Sequence, residues 1–112
     1  MNKKVWRTKS MDDILINKIR TLKLKYEPEG FIIIGVFGSY ARNEETENSD
    51  VDILYEMTSD FYTKHQGWDV FPVIQQIEQD IKLALGKKVD LADLNALKKT
   101  GRKYILPEVI HV

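Results

Sequence analysis

The 112-residue sequence contains no cysteine, which excludes disulfides, thiolate metal sites and a cysteine nucleophile. It also lacks an excess of either charge: 17 Lys and Arg face 17 Asp and Glu, for a formal net charge of +0. With no basic field over its surface, direct binding of nucleic acid is not expected. Long apolar runs are missing too. The longest is far too short to span a bilayer, and the basic N-terminus, Met1 to Ser10, has no apolar signal core. The expectation is a cytoplasmic protein without a membrane segment. The length allows one domain, residues 1–112, with a real core but no room for a second.

One stretch, Gly38 to Asp52, carries legible chemistry. The apolar run Phe31 to Phe37 reads as a buried strand and ends on Gly38-Ser39, and Asp50-Val51-Asp52 opens a second strand-like run, Val51 to Tyr55. Residues two apart in a strand point to the same face, about 6.6 to 7 Å apart, so Asp50 and Asp52 can both offer oxygens to one small region. Two carboxylates that close repel each other, and a hard cation such as Mg²⁺ relieves the repulsion. At the corner, glycine lets a phosphate approach the backbone, the Ser39 hydroxyl can donate to it, and free amides at the start of a helical turn favour an anion. A phosphate cradle beside paired metal ligands points to nucleotide chemistry.

The rest of the chain supplies a scaffold. Met1 to Lys9 reads as a solvated basic tail around Trp6, residues 1–10 being flexible, with contact to a partner as the alternative. Ser10 followed by Asp13 marks a helix start, and Met11, Leu15, Ile19, Leu22 and Tyr26 form one apolar face. Glu27-Pro28-Glu29-Gly30 ends that helix. Gly35 within the first strand suggests a bulge or a close backbone approach. Asn43 to Ser49 reads as an exposed loop whose Glu44, Glu45 and Glu47 are solvated. Met57 to Gly67 reads as a loop with Phe61, Tyr62 and His65 scattered along it. An aromatic there could stack on a purine, but packing is the favoured role. His65 has no companion histidine or acid at metal-site spacing.

A second helix is predicted from about Asp69 to Leu85, with Val70, Val73, Ile77, Ile81 and Ala84 on one face, Ile74 and Leu85 widening it, Pro72 in its first turn and Gly86 as its stop. Lys87 to Ala92 reads as a short strand in which Val89 and Leu91 point one way and Asp90 the other. Asp93 reads as a helix N-cap. The basic cluster Lys98, Lys99, Arg102 and Lys103 reads as a solvated face, with triphosphate or partner contact as the alternative. A last short strand runs around Val109 to Val112, with His111 a packing or edge residue.

The pattern Gly38-Ser39, ten residues, Asp50-Val51-Asp52 resembles the signature of the DNA polymerase beta-type nucleotidyltransferase superfamily. At this size the chain is most similar to the minimal nucleotidyltransferases, with Gly38, Ser39, Ala41, Arg42, Ser49, Asp50 and Asp52 matching. It departs at Asn43, where the family usually has glycine, and at Ile53 in a leucine slot. The resemblance covers most of the chain and implies a third carboxylate from a later strand, a slot that Asp90 matches, with Asp93 as the competitor set aside for its N-cap pattern. It implies that Asp50, Asp52 and Asp90 hold two Mg²⁺ ions, that Gly38 and Ser39 grip the phosphates of an ATP substrate, and that Arg42 neutralises them. It further implies a MntA-type antitoxin that transfers AMP to a tyrosine of a HEPN-domain RNase toxin. A non-catalytic antitoxin acting by occlusion is the alternative, kept alive by Asn43. A small-molecule nucleotidyltransferase ordinarily needs an added acceptor domain, for which this length leaves no room.

These pieces meet only in one topology. The first two strands must be antiparallel neighbours, and the long helical connection between the second and third suits a right-handed parallel crossover. The expected fold class is therefore α/β (α+β), a mixed sheet with helices packed on it.

Overall fold

A computed structural model describes residues 13–112. The tail over residues 1–10, the Ser10 cap and the contribution of Met11 to the first helix lie outside the described residues.

The first helix, α1 (Asp13–Tyr26), buries Leu15, Ile19, Leu22 and Tyr26, the face set by their spacing. Pro28 lies in a short 3₁₀ turn, Glu27–Glu29, and Gly30 at φ 89° turns the chain into β1 (Phe31–Phe37). The loop holding the Gly-Ser corner leads to β2 (Val51–Met57). Next come α2 (Ser59–Lys64), a 3₁₀ turn, α3 (Val70–Leu85), β3 (Val89–Asp93), α4 (Lys99–Ile105) and β4 (Ile110–His111). The sheet order is β3-β2-β1-β4, with β1 antiparallel to β2 and to β4, and β2 parallel to β3. This is the expected mixed sheet.

One face of the sheet carries the core. Phe31, Ile33, Val51, Ile53 and Tyr55 pack with the buried faces of α1 and α3, and the Phe31 and Tyr55 rings stack 4.5 Å apart. The α3 face is Val70, Ile77, Ile81 and Leu85, while Ala84, expected on it, is exposed. At a step of four from Ile81, Leu85 fills the position with far more apolar surface. The Tyr26 hydroxyl ties α1 to α3 by donating to Asp80 Oδ2 at 2.7 Å. Burial and the Asp80 carboxylate both push the Tyr26 phenol up, so the tyrosine keeps its proton and remains the donor.

The register fulfils the expectation for Gly35. Pairing slips between Ile33 and Gly35, and a Cβ on Gly35 would run into the carbonyl of Ile110. Gly86 ends α3 at φ 65°, in the left-handed cap position.

The loop reading of Met57 to Gly67 is corrected. β2 runs on through Met57, and Ser59–Lys64 is helical. Phe61 in α2 is fully buried, its ring 6.1 Å from Phe31 and 4.8 Å from His65. A six-residue helix with a single core residue leaves no periodicity to read. Phe61→Ala should cost about 3–5 kcal/mol in urea unfolding. A loss below about 1 kcal/mol would mean that α2 is not anchored by this ring.

Candidate active site

The corner after β1 is a single helical turn. The Arg42 amide donates to the Gly38 carbonyl at 3.0 Å, and the Glu44 amide to the Ser39 carbonyl at 2.8 Å. Gly38 sits at φ 77°, and a Cβ there would collide with Asp52 Oδ2. Glycine is therefore required twice over, by the backbone angle and by the carboxylate that occupies the side-chain position. The Ser39 hydroxyl and amide have no hydrogen-bond partner among the described residues, which leaves both for an incoming anion.

Asn43 closes the turn at φ 61°. Asparagine is among the few non-glycine residues that enter this region readily, so the departure from the usual glycine is accommodated. Asn43→Gly should leave thermal stability within about 1 kcal/mol, whereas Asn43→Val should cost about 1–2 kcal/mol. Equal stability of the two variants would mean that the turn tolerates any residue.

The carboxylates are placed by strand register. Phe37 at the end of β1 lies opposite Asp52, and Asp52 lies opposite Asp90 in the parallel β2–β3 pair. Asp50 and Asp90 are exposed, Asp52 half-buried. Burial, then the negative charges of Asp90 and Asp50, push the Asp52 carboxyl up to about 6, and the nearby Arg42 opposes this. All three acids thus share one end of the sheet. Among the described residues, however, no three His, Asp or Glu side chains close into a ready-made metal cage. The donor chemistry is nonetheless of the kind that Mg²⁺ takes: all oxygen, with negative charges that repel one another.

Arg42 sits beside this cluster but is not free. Its Nε donates to Glu44 Oε1 at 3.0 Å and its Nη1 to Glu108 Oε1 at 3.1 Å. Glu108 Oε2 also accepts the Gly38 amide at 2.7 Å. Sequence reasoning missed Glu108 entirely, because it lies in a tail read for its basic residues and its partners are remote in the chain. The expectation of three solvated glutamates holds only in part. Glu44 pairs with Arg42, Glu45 has Oε1 buried without a partner, and Glu47 is exposed.

The competing candidates fall outside the site. Asp93 accepts the Asn95 amide at 2.9 Å, the predicted N-cap role, and stands opposite Tyr55 farther along β2. His111 lies on the exposed edge opposite Gly35. Lys98, Lys99, Arg102 and Lys103 are exposed, as expected of a solvated face. A groove of about 1030 Å³, lined by Tyr55, Tyr62, His65, Phe71 and Asp93, contains none of the corner residues or the three acids.

A mixed sheet with an acidic end set against a glycine-serine corner defines a nucleotidyltransferase domain. Residues 17–111 match the family described as "Polymerase beta, Nucleotidyltransferase", and the chain belongs to that family. It is 40% identical over 101 residues to MJ0128 of Methanocaldococcus jannaschii, named as a candidate protein adenylyltransferase, covering 89% of this chain and 92% of that one. It is 37% identical over 82 residues to the protein adenylyltransferase MntA of Thermococcus cleftensis, covering 70% of this chain and 72% of the relative. A solved structure described as a candidate minimal nucleotidyltransferase superposes with a TM-score of 0.71 at 23% identity over 89% of this chain and 94% of that chain, a likeness of fold. Among the described residues no helix is long and apolar enough to cross a membrane.

Proposed function

We propose that this protein is a Mg²⁺-dependent protein adenylyltransferase that moves AMP from ATP onto a tyrosine hydroxyl of a cognate HEPN-domain RNase toxin and so neutralises it. The observation that carries the reading is the register of β2 and β3, with Asp52 opposite Asp90 and the Gly38 corner against the Asp52 carboxylate. The relatives named as protein adenylyltransferases, one of them MntA, support the choice of AMP and of a protein acceptor. The tyrosine and the HEPN partner follow from the minimal nucleotidyltransferase resemblance.

Asp50, Asp52 and Asp90 would hold two Mg²⁺ ions, which when bound offset charge on the triphosphate and lower the pKa of the acceptor hydroxyl. The Ser39 hydroxyl and amide donate to phosphate oxygens, and Arg42 neutralises their charge. Asp90, exposed at the sheet edge, takes the proton of the attacking hydroxyl. The hydroxyl oxygen bonds to the α-phosphorus, the bond to the bridging oxygen of the β-phosphate breaks, and pyrophosphate leaves with its electron pair. The products are an AMP ester of the toxin and pyrophosphate. Such a reaction belongs in the cytoplasm, where ATP and its Mg²⁺ complex are plentiful.

Incubation with α-labelled ATP, Mg²⁺ and the partner tests the proposal. Label should appear on the toxin, vanish with Asp90→Asn, and track loss of RNase activity. Protection of RNA without label would replace transfer by occlusion.

A further inference from the structure

We propose that Glu108 is a positioning residue for nucleotide binding: it braces the Arg42 guanidinium and the Gly38 corner in the arrangement that receives the triphosphate. The inference rests on the nucleotidyltransferase reading but names a residue from outside the motif, contributed by the segment that leads into β4.

Glu108 ends the 3₁₀ turn Leu106–Glu108, just before β4, and its side chain is 23% exposed. Backbone pairing of β1 with β4 joins Gly35 to His111 and Val36 to Ile110. Beyond it the Glu108 carboxylate takes over and accepts the Gly38 amide at 2.7 Å. The same carboxylate accepts Arg42 Nη1 through both oxygens, at 3.1 and 3.2 Å. Glu44 holds Arg42 Nε at 3.0 Å. Two of the three guanidinium nitrogens are thereby fixed, and Nη2 has no acceptor among the described residues. Arginine is a long side chain whose rotamer freedom opposes any contact it makes, and a guanidinium already clamped in its plane loses less on meeting a phosphate.

A different role is conceivable for an anion at an anion-binding corner: Glu108 could imitate phosphate and be displaced by it. The layout of β1 argues against this. The Gly38 amide bond continues the ladder toward β4, whereas Asp52 comes from β2, on the other edge of β1. The Ser39 hydroxyl and amide, the groups left for phosphate, are not engaged by Glu108. The carboxylate holds the Gly38 amide and Arg42 and leaves the Ser39 donors unengaged.

The test is a double-mutant cycle on the full chain, with MgATP affinity measured by calorimetry in the absence of any acceptor. Glu108→Gln keeps an acceptor for the Gly38 amide but loses the charge that holds Arg42. It should weaken MgATP about tenfold, while the melting temperature stays near that of the wild type. Glu108→Asp should recover part of the loss. In an Arg42→Ala background, Glu108→Gln should change the affinity by less than about twofold, because its effect runs through the arginine. Tighter MgATP binding by Glu108→Gln, or an equal loss in both backgrounds, would overturn the inference. A second readout needs no nucleotide: the Arg42 Nε–H signal in NMR should be slow to exchange in the wild type and broadened in Glu108→Gln, and an unaltered signal would overturn the brace. Should the wild type bind no MgATP, the proposed function fails, and the NMR comparison still decides whether Glu108 holds Arg42.

Discussion

Asp52→Asn is expected to abolish AMP transfer, lowering the rate by roughly 10³-fold or more, because it removes the carboxylate that stands between Asp90 and the Gly38 corner. The same substitution should raise the melting temperature of the metal-free protein at neutral pH. The Asp52 carboxyl is pushed up to about 6 from an ordinary 3.8, chiefly by burial and then by Asp90 and Asp50. A group whose folded value lies above its unfolded one binds protons more tightly when folded. Its stabilising contribution is complete below about pH 4 and is lost as the pH rises through about 6. At pH 7 the ionised Asp52 therefore opposes folding until a cation arrives, and the neutral amide does not. Mg²⁺ should bind the ionised form and release a proton, so its affinity should fall up to about tenfold for each pH unit below 6. Calorimetry of Mg²⁺ binding between pH 5 and 8 and thermal melts of both proteins check these statements. A variant that still transfers AMP, or that melts below the wild type at pH 7 without metal, would remove Asp52 from the centre of the site.

Gly38→Ala should be nearly as damaging although it adds one methyl group. The new Cβ would meet Asp52 Oδ2 and lie 3.0 Å from its Cγ and 3.3 Å from its Cβ. The last of these is fixed in a strand paired on both sides, so the carboxylate cannot simply rotate aside. The backbone at φ 77° adds strain for any L side chain. Expected losses are about 1–3 kcal/mol in stability and at least about 10²-fold in transfer, since displacing a reacting centre by about 1 Å is enough for the latter. Ser39→Ala should lose transfer without losing stability, because that hydroxyl has no partner among the described residues. If Gly38→Ala kept both activity and stability, Asp52 would have more freedom than the packed corner allows.

Much of this site could be read before any coordinates. Gly38, Ser39, Asp50 and Asp52 lie within a short span bounded by two strands, and strand alternation alone puts Asp50 and Asp52 on one face. Alternation with Val89 and Leu91 put Asp90 on a polar face, the minimal nucleotidyltransferase resemblance supplied its role as a third carboxylate, and its place beside Asp52 followed from the length of the helical crossover. Register did the rest. What escaped was written in tertiary geometry. Phe61 fills the core from a helix too short to show a period. Glu108 meets Gly38 and Arg42 across most of the domain, and nothing in its neighbours announces a carboxylate bound for the phosphate corner. Glu45, in a loop that reads as uniformly solvated, has an oxygen turned inward.

The parallel pairing of β2 with β3 also governs when the protein can act. Gly38, Asp50 and Asp52 leave the ribosome early, but Asp90 reaches them only after α2 and α3 have folded back across the sheet, and Glu108 arrives later still. A nascent chain that has already made its motif is therefore chemically silent. Competence waits on the segments that complete the sheet, so an amino-terminal fragment halted short of β3 should carry the signature yet show no transfer.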